Sequence, residues 1–225
     1  MLTLYNYFRS STSYRVRIGL NYKKIPYQQK GVNLVKGEQW AEDYREMNPQ
    51  GAVPVLVFED GYVLTQSLAI LDYLEETYPG PSIYPEGAKQ RAFTRQIALI
   101  VSCDVHPVNN LRVLKYLTEN LGTSEEEKTK WYQKWIYDSM TSIEIMLNKS
   151  PYHTKGEYCC GPAPTLADMC LIPQIYNARR FNCDMSRFPL IEAVEKKCLE
   201  HPAFIEADPH SQPDTPAELR KAATA

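Results

Sequence analysis

The hydroxyl side chains of Ser10-Ser11-Thr12, with Ser13 next in line, follow the short apolar-aromatic run Leu2-Thr3-Leu4-Tyr5, with Arg9 before them and Arg15 and Arg17 after them. If the run is a strand and the segment after the hydroxyls a helix, the first N–H groups of that helix converge on the turn. Such an end carries about half a positive charge and binds anions, and hydroxyl donors add to it. A thiol held there would ionise. Free thiols titrate near about 8.5, and helix N-termini bring them to roughly 3.5–7.5. A shift of about two units corresponds to roughly 2.7 kcal/mol. The same residues also fit plain helix capping, with one serine as N-cap and the others filling the turn. The turn alone leaves both uses open.

Two more stretches carry donors at defined places. In Asn48-Pro49-Gln50-Gly51-Ala52-Val53-Pro54, Pro54 stands at the start of an apolar strand, where it cannot donate to a sheet. A cis Val53–Pro54 bond would turn the Val53 main chain outward, to pair with a peptide-like ligand in strand fashion. An edge-strand trans proline is the other solution. Gln66-Ser67 opens a strongly apolar-periodic helix. Ser67 can cap it, and the same end can hold a carboxylate.

The elements that must position these residues follow from periodicity and turn signals. Leu2–Tyr7 reads as a strand. Tyr14–Tyr22 alternates apolar residues with arginines and could pass for a strand, but the hydroxyl start and the basic end at Lys23-Lys24 bracket a helix. Ile25–Asn33 reads as a strand, Lys36–Met47 as a short helix, Val53–Phe58 and Tyr62–Thr65 as a hairpin around Glu59-Asp60-Gly61, and Gln66–Tyr78 as a helix. The order is βαβαββα. Pro79-Gly80-Pro81 breaks the pattern. After it the spacing predicts helices over 89–120, 124–149, 165–181 and 187–200, with a kink at Pro107 and a capping box at Thr165-Leu166-Ala167-Asp168. The expected organisation is an α/β domain over 1–80, a linker over 81–88, an all-helical domain over 89–208 and a polar, irregular tail over 209–225.

Composition narrows the function classes. A formal net charge of −2 over 225 residues gives no footprint for nucleic acid or an anionic membrane surface. No apolar run approaches the roughly 20 residues of a membrane span, and the N-terminus lacks the pattern of a secretory leader. The six cysteines form no CxxC pair, and with no export signal they are expected as free thiols in a reducing, cytoplasmic setting. The four histidines are scattered, so no metal site is expected.

A thiol-sized site, an exposed strand backbone and a carboxylate site in one βαβαββα unit are together what glutathione needs. Here the chain resembles the cytosolic glutathione transferases, which join a thioredoxin-like N-terminal domain to an all-α C-terminal domain. Redox relatives carry CxxC at the first strand–helix turn, where this chain has Ser10 and Ser13. SSTSYRVRIGL is similar to the zeta-class signature SSCxWRVRIAL. NPQGAVPVL, QSLAILDYLEE, TLADMCLIPQIYNARRF and the tail element QPDTP are also zeta-like. The resemblance covers nearly the whole chain and departs at Thr12, where the signature often has Cys. That class includes maleylacetoacetate isomerase and bacterial maleylpyruvate isomerase.

The resemblance implies that Ser11, with Ser10 and Thr12 beside it, forms the catalytic hydroxyl turn. It implies that Ser11, Gln50, Val53, Pro54, Gln66, Ser67, His106 and Asn110 bind glutathione, with His106 open also to proton donation or to core packing beside Pro107. It points to Arg9, Arg112 and Arg180 as partners of a dicarboxylate substrate, for which bidentate cations are suited. Arg179 is expected in solvent, Tyr5 and Tyr7 in packing, and Trp131 and Trp135 on a packed helix face. The implied activity is glutathione-dependent cis–trans isomerisation of maleylacetoacetate to the fumaryl isomer, by a cytoplasmic homodimer. The rivals are maleylpyruvate as the substrate, a broader glutathione transferase, and a non-catalytic glutathione-fold module that binds a protein partner.

Overall fold

The computed structural model describes residues 1–220. Strand β1 (Leu2–Asn6) pairs in parallel with β2 (Tyr27–Gly31) and antiparallel with β3 (Val55–Val57), which pairs antiparallel with β4 (Val63–Thr65). The sheet order is β2-β1-β3-β4. Between the strands lie α1 (Ser11–Tyr22), α2 (Glu42–Met47, preceded by a 3-10 turn at Glu38–Trp40) and, after β4, α3 (Ser67–Thr77). This is the expected βαβαββα order of a thioredoxin-like unit. Strand alternation sorts the core. Leu2, Leu4 and Leu56 join Val16 and Leu20 of α1 and Ile70 and Leu74 of α3. Val55, one residue from Leu56, joins Tyr7, Phe8, Val32, Tyr44 and Val53 in a second cluster.

The alternation over 14–22 belongs to a helix. Both halves of its pattern are buried, because Arg15 and Arg17 are as inaccessible as Val16, Ile18 and Leu20. Arg17 is held by neutral hydrogen-bond acceptors. Its Nη1 donates to Asn6 Oδ1 at 2.9 Å, its Nη2 to the Phe8 carbonyl at 3.0 Å, and Nε and Nη2 both to the Ala207 carbonyl. Burial lowers its pKa to about 10, so it stays a cation at neutral pH.

The chain folds as two compact units, one made of Met1–Ser82 with the segment from Glu200 onward, the other of Ile83–Leu199. The second unit holds α4 (Ala88–Leu99), a π-helical stretch (Ile100–Val105), α5 (His106–Val108), α6 (Leu111–Glu119), α7 (Glu125–Lys149), α8 (Leu166–Arg180) and α9 (Pro189–Cys198). The helix expected over 89–120 is thus interrupted. A wide π turn leads into His106-Pro107, and Asn109-Asn110 breaks the run before α6. Asp168 caps α8 by accepting from the Thr165 N–H and hydroxyl, each at 2.8 Å, and also takes the Cys159 N–H.

The expected division differs at its C-terminal end. The sequence pattern places residues 200–208 in the helical domain and 209–225 in an irregular tail. In the structure α10 (Pro202–Ala207) packs on α1, and 3-10 turns at Pro209–Ser211 and Ala217–Leu219 follow it in the first unit. Gln212 and Thr215 are buried there. The polar composition misleads because its side chains are spent on backbone. Gln212 Nε2 donates to the carbonyls of Glu206 and Asp208, and the Thr215 hydroxyl to that of Pro209. Residues 221–225 of that expected tail lie outside the described residues. Among the described residues no helix is long and apolar enough to cross a membrane. All six cysteines are free thiols. Burial pushes those of Cys159, Cys160, Cys183 and Cys198 up, away from nucleophilic use.

Candidate active site

The hydroxyl turn is both a cap and more than a cap. Ser10 is the N-cap of α1, its hydroxyl accepting from the Ser13 N–H at 3.2 Å. Ser10 Oγ and Thr12 Oγ1 are 2.8 Å apart, and Thr12 Oγ1 donates to the Val53 carbonyl at 2.9 Å. A hydroxyl has one proton. The Thr12 proton goes to Val53, so Ser10 must donate to Thr12. Both protons are therefore spent in holding the turn against the Val53 main chain. Ser11, the third hydroxyl, is buried in the first turn of the helix among the converging N–H groups. Arg9 sits partly exposed just before the cap, its Nη2 donating to the Tyr7 hydroxyl at 3.4 Å and its guanidinium 5.3 Å from the Phe8 ring centre. Tyr7 packs in the second core cluster and Tyr5 lies against it, the packing use expected for both.

The Val53–Pro54 bond is cis. The loop before it is shaped by Gly51, at φ +59°, where a Cβ would lie 2.3 Å from the Trp40 ring. The Tyr44 hydroxyl and Asn48 Nδ2 both donate to the Ala52 carbonyl, at 2.6 and 2.7 Å. Gln50 and Gln66, far apart in the chain, meet where Gln66 Nε2 donates to Gln50 Oε1 at 2.8 Å. Gln66 has φ +69°, a backbone region that non-glycine residues occupy at a cost of order 1–3 kcal/mol and that concentrates at ligand sites. Ser67 begins α3. Beneath it Arg15 Nη1 donates to Ser67 Oγ at 3.4 Å, adding a full charge to the partial charge of the helix end.

In the second unit, His106, Asn110 and Arg112 stand together around the break before α6. Asn110 Oδ1 accepts from the Arg112 N–H at 3.1 Å as the N-cap, which turns its Nδ2 toward His106 Nε2 at 3.3 Å. The amide nitrogen can only donate, so His106 Nε2 accepts and the neutral ring carries its proton on Nδ1. The Arg112 side chain is exposed. Arg180 ends α8, with Nη1 donating to Asn177 Oδ1 at 3.2 Å and its guanidinium 5.9 Å from the rings of Tyr176 and Phe181. Its neighbour Arg179 is committed otherwise. It is clamped by Glu195 at 2.5 Å and Glu192 at 3.4 Å, which raises its pKa. Arg179 is nonetheless exposed, as expected of a solvated arginine, and these are surface ion pairs. Trp131 and Trp135 pack against each other at 5.7 Å.

Sequence reasoning passed over Arg15 and Arg17 as site elements. Two arginines on alternate helix positions carry no signal that both will be buried.

The chain has extensive kin. Residues 4–82 match the family model of the glutathione S-transferase N-terminal domain. A probable maleylacetoacetate isomerase of Vibrio cholerae is 46% identical, over 95% of this chain and 98% of that protein. The holo structure of a maleylpyruvate isomerase, described as a bacterial zeta-class glutathione S-transferase, is 42% identical, with a TM-score of 0.91 over 95% of this chain and 100% of its own. The crystal structure of the maleylacetoacetate isomerase of Methylobacterium extorquens AM1 was solved with malonate and glutathione bound. It is 37% identical, with a TM-score of 0.92 over 96% of this chain and all of its own.

Proposed function

The chain belongs to the zeta-class glutathione transferase family of maleylacetoacetate and maleylpyruvate isomerases, and from that premise we propose that it is a glutathione-dependent cis–trans isomerase acting on maleylacetoacetate. The observation that carries the reading is the α1 turn. It has the donors to hold a thiolate and no cysteine for dithiol exchange, because serines and a threonine occupy 10–13.

The donor set suits glutathione at three points: helix N–H groups and Ser11 for sulfur, the Val53 main chain for the peptide, and Ser67 with the α3 N-terminus over Arg15 for a carboxylate. When bound, glutathione supplies the sulfur nucleophile, which adds reversibly to the maleyl double bond and leaves again after rotation about the resulting single bond. Ser11 and the N–H groups keep the sulfur ionised. Ser10 and Thr12 fix the turn. Gln50, Gln66 and Pro54 shape the peptide side, and His106 and Asn110 belong to the glutathione set. Arg9, Arg112 and Arg180 hold the substrate carboxylates and offset charge that develops on its carbonyl oxygen. We place the enzyme in the cytoplasm as a homodimer; sedimentation at the mass of one chain would overturn the dimer.

Purified protein with glutathione should speed the loss of maleylacetoacetate absorbance, and a rate no greater than that of free glutathione sinks the reading. Arg112→Ala and Arg180→Ala should each raise KM for the substrate by about tenfold or more, as loss of a charge-assisted pair demands. Unchanged KM in both favours a general transferase. Parallel rates on maleylpyruvate decide between the two substrates named among the relatives.

A further inference from the structure

The tail element QPDTP, residues 212–216, has no part in the site as described, yet it grips the backbone of the hydroxyl turn. Asp214 Oδ2 accepts from the Phe8 N–H at 2.8 Å across 206 residues of chain. The other polar group of Phe8, its carbonyl, is taken by Arg17 Nη2 at 3.0 Å, and Arg17 also binds the carbonyl of Ala207, the last residue of α10. Phe8 is the second residue of the turn closed by Ser10 N–H to the Tyr7 carbonyl at 2.9 Å. With both of its polar groups held, the turn that presents Arg9, Ser10 and Ser11 is fixed from the C-terminal side.

The clasp is itself rigidly tied. Gln212 Nε2 donates to two carbonyls, Thr215 to Pro209, and Gln212 Oε1 accepts from Gln29 Nε2 on β2 at 3.0 Å. Arg220 donates to the carbonyls of Thr215 and Pro213, each at 2.9 Å. The approach depends on a glycine. A Cβ at Gly31, the last residue of β2, would lie 2.9 Å from Asp214 Cβ, closer than side chains tolerate.

We propose that Asp208–Thr215 is a positioning clasp for the α1 turn, with Asp214 and Arg17 as positioning residues that set where Arg9, Ser10 and Ser11 stand. Its bearing on catalysis rests on the glutathione reading of that turn. Neither residue is assigned contact with substrate. They act through the Phe8 main chain, and a turn released at Phe8 lets the N–H groups and Ser11 drift from the sulfur.

Three variants test it: Asp214→Ala, which removes the acceptor, Asp214→Asn, which keeps an oxygen acceptor for the Phe8 N–H, and Gly31→Ala, which keeps Asp214 but pushes it away. Hydrogen exchange of the free protein should quicken about tenfold or more at Phe8–Ser13 in Asp214→Ala and Gly31→Ala, and stay near wild type in Asp214→Asn. With glutathione bound, ultraviolet titration should find the thiol pKa raised by about one unit in the first two. That cuts the thiolate fraction about tenfold at pH well below it. The fall should appear in kcat, with KM for maleylacetoacetate within about threefold. Unchanged exchange at the turn overturns the clasp, and so does an equal loss in Asp214→Asn and Asp214→Ala. Faster exchange with an unmoved thiol pKa overturns its role in catalysis. A wild-type protein that binds no ionised glutathione overturns the functional reading alone, since the exchange contrast is read without ligand.

Discussion

Ser10 and Ser11 are neighbours whose replacement should give opposite phenotypes. Ser10 caps α1 and passes its proton to Thr12, so Ser10→Ala should lower stability by about 1 kcal/mol while leaving bound glutathione acidic. Ser11→Ala should leave the melting temperature nearly unchanged, raise the thiol pKa by about 1–2 units and cut kcat by about 10–100-fold. Thermal melts and ultraviolet titration of the two variants check both halves. If Ser10→Ala is the one that loses the thiolate, the assignment of roles is reversed. At this scale the sequence was readable in residue type but not in proton accounting. That the turn holds donors follows from its hydroxyls. That the Ser10 and Thr12 protons are spent on the turn follows only from Thr12 meeting the Val53 carbonyl, 41 residues away.

At the scale of elements, the cis-proline loop depends on a glycine for shape. Gly51→Ala places a methyl group against the Trp40 ring and a side chain at φ +59°. It should lower the melting temperature by several degrees and raise KM for glutathione, read by melts and by glutathione titration. A fully wild-type KM would remove this loop from the binding set. Helix α10 offers a pH-dependent counterpart. His201 caps it by accepting from the Ala203 N–H through Nδ1 at 3.2 Å, and burial lowers its pKa below the usual 6.5. As pH falls through about 6.5 the unfolded chain takes up a proton that the folded one resists, so stability declines on acidification. His201→Asn, which caps without titrating, should flatten the pH dependence of the melting temperature between roughly pH 5 and 7. An unchanged profile counts against it. Most elements were legible because their periodicity and breakers agree: the hairpin at Glu59-Asp60-Gly61, the α8 box at Thr165 and Asp168. The π turn at Ile100–Val105 was not, since nothing in an apolar helical pattern marks one wider turn before Pro107.

At the scale of the whole molecule, the sequence reading failed where polar side chains serve backbone rather than solvent. Residues 200–220 look expendable by composition, yet they complete the first unit, with Arg17 at the join. Arg17→Met should destabilise the protein by about 3–5 kcal/mol, because Asn6 and the carbonyls of Phe8 and Ala207 lose their donor together. Denaturant unfolding measures it, and a loss below about 1 kcal/mol would demote Arg17 to a replaceable filler. The clasp also dictates an order of events during synthesis. A chain made from its N-terminus can form the sheet early, but it cannot close the unit around it until residue 215 has left the ribosome, after every helix of the second unit has been made. The first unit is thus finished last, although most of it is translated first.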